Sequence, residues 1–170
     1  GTAYIAGFRF ALEKAYEYIF EMDCDFSHDP NDIPTLLEAA QTNDLIIGSR
    51  YINGIRIINW PMRRLLLSYF AGVYTRIITG MTVLDATGGF KCFKRNALES
   101  LNLDKVFSNG YSFQIELNFK VWSKGLKVKE VPIVFTERRD GESKMSGGIV
   151  FEAVFAVIKL RLRKIFGILH

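Results

Sequence analysis

The segment Tyr18-Ile19-Phe20-Glu21-Met22-Asp23-Cys24-Asp25 passes from β-prone apolar residues directly into a pair of carboxylates. A strand that short and apolar is covered on both faces, as in a sheet packed between helices. In such α/β folds ligands gather beyond the carboxyl ends of the parallel strands, and that is where Asp23 and Asp25 fall. Two carboxylates one residue apart at that rim suit Mg2+ or Mn2+, which takes few protein oxygens and completes its shell with water and phosphate. The segment therefore predicts an α/β domain that holds a nucleotide diphosphate. Turn and helix-cap carboxylates have the same spacing, and Asp29-Pro30-Asn31-Asp32 downstream reads as a capped turn. His28 is expected at the surface or as a cap.

Composition enters where it narrows the class. The 170 residues make one domain with a real core, and 49% hydrophobic against 24% charged is a globular balance. With 22 basic and 18 acidic residues the net charge is only +4, so no general affinity for nucleic acid follows. The basic residues gather instead at Arg63-Arg64, at Arg138-Arg139 and from Lys159 to Lys164, as local anion sites. Cys24 and Cys92 have no metal-type spacing and fit a reducing compartment. No uncharged apolar run reaches the roughly 20 residues of a bilayer span.

The spacing of Ile5, Phe8, Leu12 and Ala15 predicts a helix over Thr2 to Tyr16, leading into the central strand. Ile33, Leu36, Leu37 and Ala40 mark a short amphipathic helix, and Asp44 to Gly48 a second buried strand. Arg50 follows that strand at the rim of Asp23 and Asp25, where it either holds a phosphate or pairs with a carboxylate. Trp60-Pro61-Met62 opens a helix that Gly80 closes, apolar nearly all round, with Arg63 and Arg64 in its first turn. Cations are disfavoured at that end of the helix dipole, which becomes understandable if an anion sits beside them. Ser68, one turn on, shares the face of Arg64.

The loop Val83 to Phe90 holds Asp85 and two adjacent glycines, and reads as a turn or as a second piece of the rim. A short strand follows at Phe90 to Phe93. Gly110 opens a helix to about Lys124, in which Gln114 and Glu116 cannot share a face, so at most one points at the site. Lys127 to Thr136 reads as a strand, edge-placed or irregular at Pro132. The loop with Arg138, Arg139 and Lys144 either closes over a diphosphate or is plain solvated chain. Gly148 to Leu169 has an apolar first half and a basic second half, the make-up of a helix in a membrane interface or one docked on a domain.

In this order, the motifs MDCDFSHDP, DLIIGSRY, NWPMRRLLLS, DATGGFKCFKR, GYSFQIE and VPIVFTERRDGESKMS resemble the polyprenyl-phosphate (dolichol-phosphate) mannosyltransferases, inverting family 2 glycosyltransferases with the GT-A fold. The resemblance runs from Gly1 to about Ser146. It implies an α/β, Rossmann-like three-layer sandwich with a mostly parallel central sheet over residues 1–146; residues 147–170, beyond the resemblance, read from their own pattern as an amphipathic helix, membrane-interfacial or docked on a domain. It also implies transfer of mannose from the nucleotide sugar GDP-mannose to a polyprenyl phosphate, by a peripheral enzyme on the cytoplasmic face of a membrane.

By position, Asp23 and Asp25 match the carboxylates that bind Mg2+ or Mn2+, and Ser27 stands where some members have a metal-touching glutamine. Arg50, Arg64 and Ser68 match residues assigned to the lipid phosphate, with Arg63 beside them. Arg138, Arg139 and Lys144 match the loop over the donor diphosphate. Asp25, Asp85, Gln114 and Glu116 fall among the catalytic and acceptor-side groups. Members begin with a further strand-helix-strand, by resemblance about 65 to 70 residues, so this chain is expected to be a fragment. Two alternatives stay open at this point: a donor such as UDP-glucose, and a truncated, non-catalytic lipid-phosphate-binding module.

Overall fold

A computed structural model of the chain describes residues 1–137 and 147–169. Among the described residues the helices are α1 (Thr2–Glu13), α2 (Ile33–Ala40), α3 (Met62–Thr79), α4 (Arg95–Glu99), α5 (Gly110–Ser123) and α6 (Gly147–Ile165). The strands are β1 (Tyr18–Glu21), β2 (Leu45–Ser49), β3 (Ile57–Ile58), β4 (Lys91–Lys94), β5 (Val128–Pro132) and β6 (Phe135–Thr136). The main sheet has the order β1-β4-β2-β5, and β3 pairs with β6 in a separate parallel ribbon. β1, β2 and β5 run in one direction, with β4 inserted antiparallel between β1 and β2. The expected mostly parallel sandwich is present, and its one reversed strand could not be announced by a four-residue pattern that carries no direction.

Successive side chains of a strand point to opposite faces, and β2 uses both. Leu45 and Ile47 join Phe93, Leu117 and Phe119 in the larger core, while Ile46 joins Leu36, Ala40, Phe90 and Cys92 beneath α2. Helices therefore cover both faces of the sheet. α1 stops at Glu13, short of the predicted Tyr16, because Ala15 adopts a left-handed φ of 58°. α3 ends as predicted, with Gly80 at φ 76°, a conformation that favours glycine. Pro132 is the last residue of β5, an outer strand of the sheet order, where its missing N–H is tolerated.

α6 packs against α3 and α5 and buries Val157 and Leu160 in the core. One face of this helix thus docks on its own domain. The other presents Phe151, Phe155, Ile158, Leu162 and Ile165 as an exposed stripe at helical spacing. No helix among the described residues is long and apolar enough to cross a membrane.

Phe93 is fully buried, with its ring 5.4 Å from that of Phe8 where α1 meets the sheet. Phe93→Ala is expected to lower stability by about 3 to 5 kcal/mol, read as a shifted midpoint in urea unfolding at unchanged slope.

Candidate active site

Asp23, Asp25, Arg50, Arg64, Thr87 and Tyr111 border one small cavity of about 70 Å³. The two carboxylates are held from different sides. Tyr4, on α1, donates its hydroxyl to Asp23 Oδ1 at 2.8 Å. A Cβ at Gly89 would lie 2.9 Å from Asp23 Oδ2, so the glycine leaves that oxygen its room. Asp25 Oδ1 accepts from the backbone N–H and the hydroxyl of Ser27. Ser27, expected as a third metal ligand, is buried and donates its hydroxyl to Asp25.

Among the described residues no three His, Cys, Asp or Glu side chains gather as a metal site. The gathered group is a carboxylate pair beside a cradle that a side chain on residue 89 would fill. This fits Mg2+ or Mn2+, which keeps several water or phosphate oxygens.

Arg50 borders this cavity and pairs with a carboxylate. Its Nε donates to Asp85 Oδ2 at 2.7 Å, its Nη2 to Oδ1 at 2.6 Å and its backbone N–H to Oδ2 at 2.9 Å. Nη2 also reaches the Thr87 hydroxyl at 2.9 Å. Burial alone would raise the Asp85 carboxyl, but the Arg50 charge and hydrogen bonds outweigh it and hold it below the ordinary carboxylate range. Glu130, on β5, fixes the loop from the other side by accepting the backbone N–H groups of Leu84 and Asp85 at 2.8 Å each.

Arg64 lies 3.9 Å from the Trp60 ring centroid and pairs with Glu137. Arg63, its neighbour, is exposed. The Ser68 hydroxyl is buried and accepts from the Tyr51 hydroxyl at 2.7 Å.

Two further cavities adjoin the first. One, of about 220 Å³, lies between α3, α5 and α6, with Leu67, Phe70, Tyr74 and Val154 in its walls together with Arg50 and Arg64. The other, of about 480 Å³, is bordered by Tyr4, Asp23, Asn109 and Gln114. Thr87 and Tyr111 line all three.

Gln114 and Glu116 part company, as their spacing requires. Gln114 borders the largest cavity and joins the buried Lys91 ammonium to the Glu21 carboxylate. Burial lowers the Lys91 pKa and raises that of Glu21. Glu116, expected among the catalytic and acceptor-side groups, is fully buried, accepts the N–H groups of Phe107 and Ser108, and pairs with Lys120. Its carboxylate holds the chain entering α5 and borders none of the three cavities.

His28 corrects the expectation of a surface or capping residue. It is buried between Phe90 and Phe135, at ring distances of 5.2 and 5.1 Å, and burial pulls its pKa down. Arg138, Arg139 and Lys144 lie outside the described residues.

Thr87, Tyr111, Lys91, Glu130 and Glu137 were missed by pattern reading. Only Thr87 had a signal, as the residue that leads into the Gly88-Gly89 pair.

Residues 1–101 match the family model described as glycosyl transferase family 2. An undecaprenyl-phosphate mannosyltransferase of Micrococcus luteus is 46% identical over 94% of this chain and 65% of its own length. A polyprenol monophosphomannose synthase of Mycolicibacterium smegmatis is 45% identical over 96% of this chain and 62% of its own. The chain thus spans less than two thirds of the length of these curated relatives. Glucosyl-3-phosphoglycerate synthase of Mycobacterium tuberculosis, in complex with phosphoglyceric acid, superposes with a TM-score of 0.62 at 18% identity, over 88% of this chain and 52% of that one. Its complex with Mn2+, UDP-glucose and phosphoglyceric acid gives 0.60 at 18% identity, over 89% and 52%. At that identity the likeness is one of fold, and the fold is GT-A.

Because the Asp85 carboxyl is depressed in the folded state, its stabilisation is full above the unfolded value of about 4 and is lost as pH falls through the folded value. Asp85→Asn leaves the Arg50 charge buried without its partner. It should cost about 3 kcal/mol at neutral pH and flatten the loss of stability below about pH 4, both measured by urea unfolding across pH.

Proposed function

This chain belongs to glycosyl transferase family 2, and from that membership we propose that it transfers mannose from GDP-mannose to a polyprenyl monophosphate at a membrane surface. The observation that carries this reading is a shared wall. Arg50 and Arg64 border both the apolar cavity between α3, α5 and α6 and the small cavity of Asp23 and Asp25. A lipid phosphate needs such a place, with prenyl carbons in the apolar space, the phosphate on the guanidiniums and the sugar donor on the carboxylate side. The two relatives, an undecaprenyl-phosphate mannosyltransferase and a polyprenol monophosphomannose synthase, support mannose as the sugar and a polyprenyl acceptor.

The reaction is one displacement at the anomeric carbon. An acceptor phosphate oxygen forms the new C–O bond while the bond to the nucleoside diphosphate breaks, and the configuration inverts. A phosphate monoester is already largely ionised near pH 7, so no strong general base is required. Arg50 and Arg64 hold the phosphate in line, which contributes proximity and orientation. Asp85 acts through Arg50, and Ser27 through Asp25. Ser68 and Arg63 stand on the acceptor side, and Arg138, Arg139 and Lys144 supply positive charge on the donor side. Asp23 and Asp25 are the residues that would hold Mg2+ or Mn2+, which when bound neutralises the departing diphosphate.

The exposed stripe on α6, together with Phe70 and Ile77 on α3, supports seating at a bilayer surface. On the same helix Lys159 lies 4.2 Å from the Phe107 ring and Lys164 4.1 Å from that of Trp122, with Arg163 also over Phe107. Their charges suit the anionic headgroups of a cytoplasmic leaflet.

Transfer is tested with labelled GDP-mannose and a short polyprenyl phosphate. Chelator should abolish it, Asp25→Asn should lower kcat at least about a hundredfold, and UDP-glucose should be a poor donor. Arg64→Ala should raise KM for the lipid phosphate about tenfold while KM for GDP-mannose stays within about twofold; equal effects on both would remove the acceptor assignment. Phe155→Asp should weaken cosedimentation with anionic vesicles by about tenfold or more and leave the melting temperature unchanged, since that side chain is 60% exposed.

A further inference from the structure

Arg50 and Arg64 border the same cavity, yet their charges are balanced in different ways. Arg50 meets Asp85 in a fork, two nitrogens against two oxygens, with side-chain exposures of 7% and 0%. That is the strong, planar geometry of a guanidinium–carboxylate pair. Arg64 meets Glu137 through Nη1 alone, which donates to both carboxylate oxygens at 2.5 and 2.7 Å. Its Nε is buried without a hydrogen-bond partner. Glu137 is the more exposed partner, at 26% against 13% for Arg64. The Arg64 plane is meanwhile held against Trp60, so the cation keeps its place whichever anion it faces.

We propose that Glu137 is an internal stand-in for the acceptor phosphate, occupying Arg64 until a stronger anion displaces it; this rests on the acceptor-phosphate reading of Arg64 given above. A phosphate brings more charge and more acceptor oxygens than the single-nitrogen carboxylate contact, and matches the guanidinium fork that Glu137 leaves unused. The cost of displacing Glu137 is subtracted from every acceptor's affinity. A prenyl phosphate overcomes it. A neutral prenol has nothing to exchange for the carboxylate, so it is rejected even where its chain fits the apolar cavity. Glu137 thereby selects for an ionised head group by competing with it.

The test is calorimetric binding of farnesyl phosphate, with farnesol as the neutral control, to the wild-type protein and to Arg64→Ala, Glu137→Gln and Glu137→Asp. Glu137→Gln removes the charge, whereas Glu137→Asp keeps it but draws it back from Arg64, which separates direct competition from a general change in field. Both Glu137 variants are expected to bind farnesyl phosphate roughly five- to tenfold more tightly than wild type, while Arg64→Ala binds at least about tenfold more weakly. Unchanged or weaker binding in both Glu137 variants overturns the proposal, as does tightening in Glu137→Gln alone, and the Asp variant decides the matter if the Gln variant fails to fold. Equal affinity in wild type and Arg64→Ala would remove the phosphate subsite itself, a separate failure that takes this proposal with it.

Discussion

The buried pair of Arg50 and Asp85 is the constraint on which the site depends. It ties the end of β2 to the loop before β4, and Glu130 of β5 locks the same loop through two backbone N–H groups. Three strands are thus braced at one rim by carboxylates. Burying such charges costs several kcal/mol per ion before their attraction repays it, so the pair is a poor device for stability alone. It does fix an orientation. The Arg50 plane, the Thr87 hydroxyl bonded to it and the walls of all three cavities inherit their positions from it.

A second polar chain runs beneath the carboxylate pair. Lys91 of β4, fully buried, reaches Gln114 of α5, which reaches Glu21 at the end of β1. Asp23 follows Glu21 by two residues. A group so deep is tolerable only with a partner, and its partner Gln114 links it to the strand end from which the cavity carboxylates project. The interior of this fold is therefore braced by charge on both sides of the reactive rim, and each brace joins elements far apart in sequence.

That distance explains what could be read in advance. Helices and strands announced themselves through local signals such as Gly80 at the end of α3 and the apolar run of β2. The carboxylate pair was legible because it follows a strand directly. Lys91 was not, since in Phe-Lys-Cys-Phe-Lys a charged residue between apolar ones looks like the solvent face of an outer strand; the antiparallel insertion of β4 between β1 and β2 puts it inside. Arg50 and Asp85 each read as a rim residue with its own task, because nothing across a separation of 35 positions says that they meet. His28 misled for the opposite reason. Its neighbours Ser27 and Asp29 suggest a turn, and it is buried by Phe90 and Phe135, both distant in sequence.

α5 has an odd grammar. From Ser112 to Val121 polar and apolar residues alternate strictly, and all ten are buried. Alternation of period two is the signature of a strand, and on a helix it scatters polar groups around the whole circumference. The local preference of this segment and its place in the fold disagree. The helix is stabilised by partners waiting on several sides: Lys91 and Glu21 for Gln114, the Phe107–Ser108 backbone for Glu116, and the Ala86 carbonyl for Asn118. α5 therefore holds its helical shape through its neighbours: the stretch has the pattern of a strand, and the partners around the cavities are also what keep it a helix.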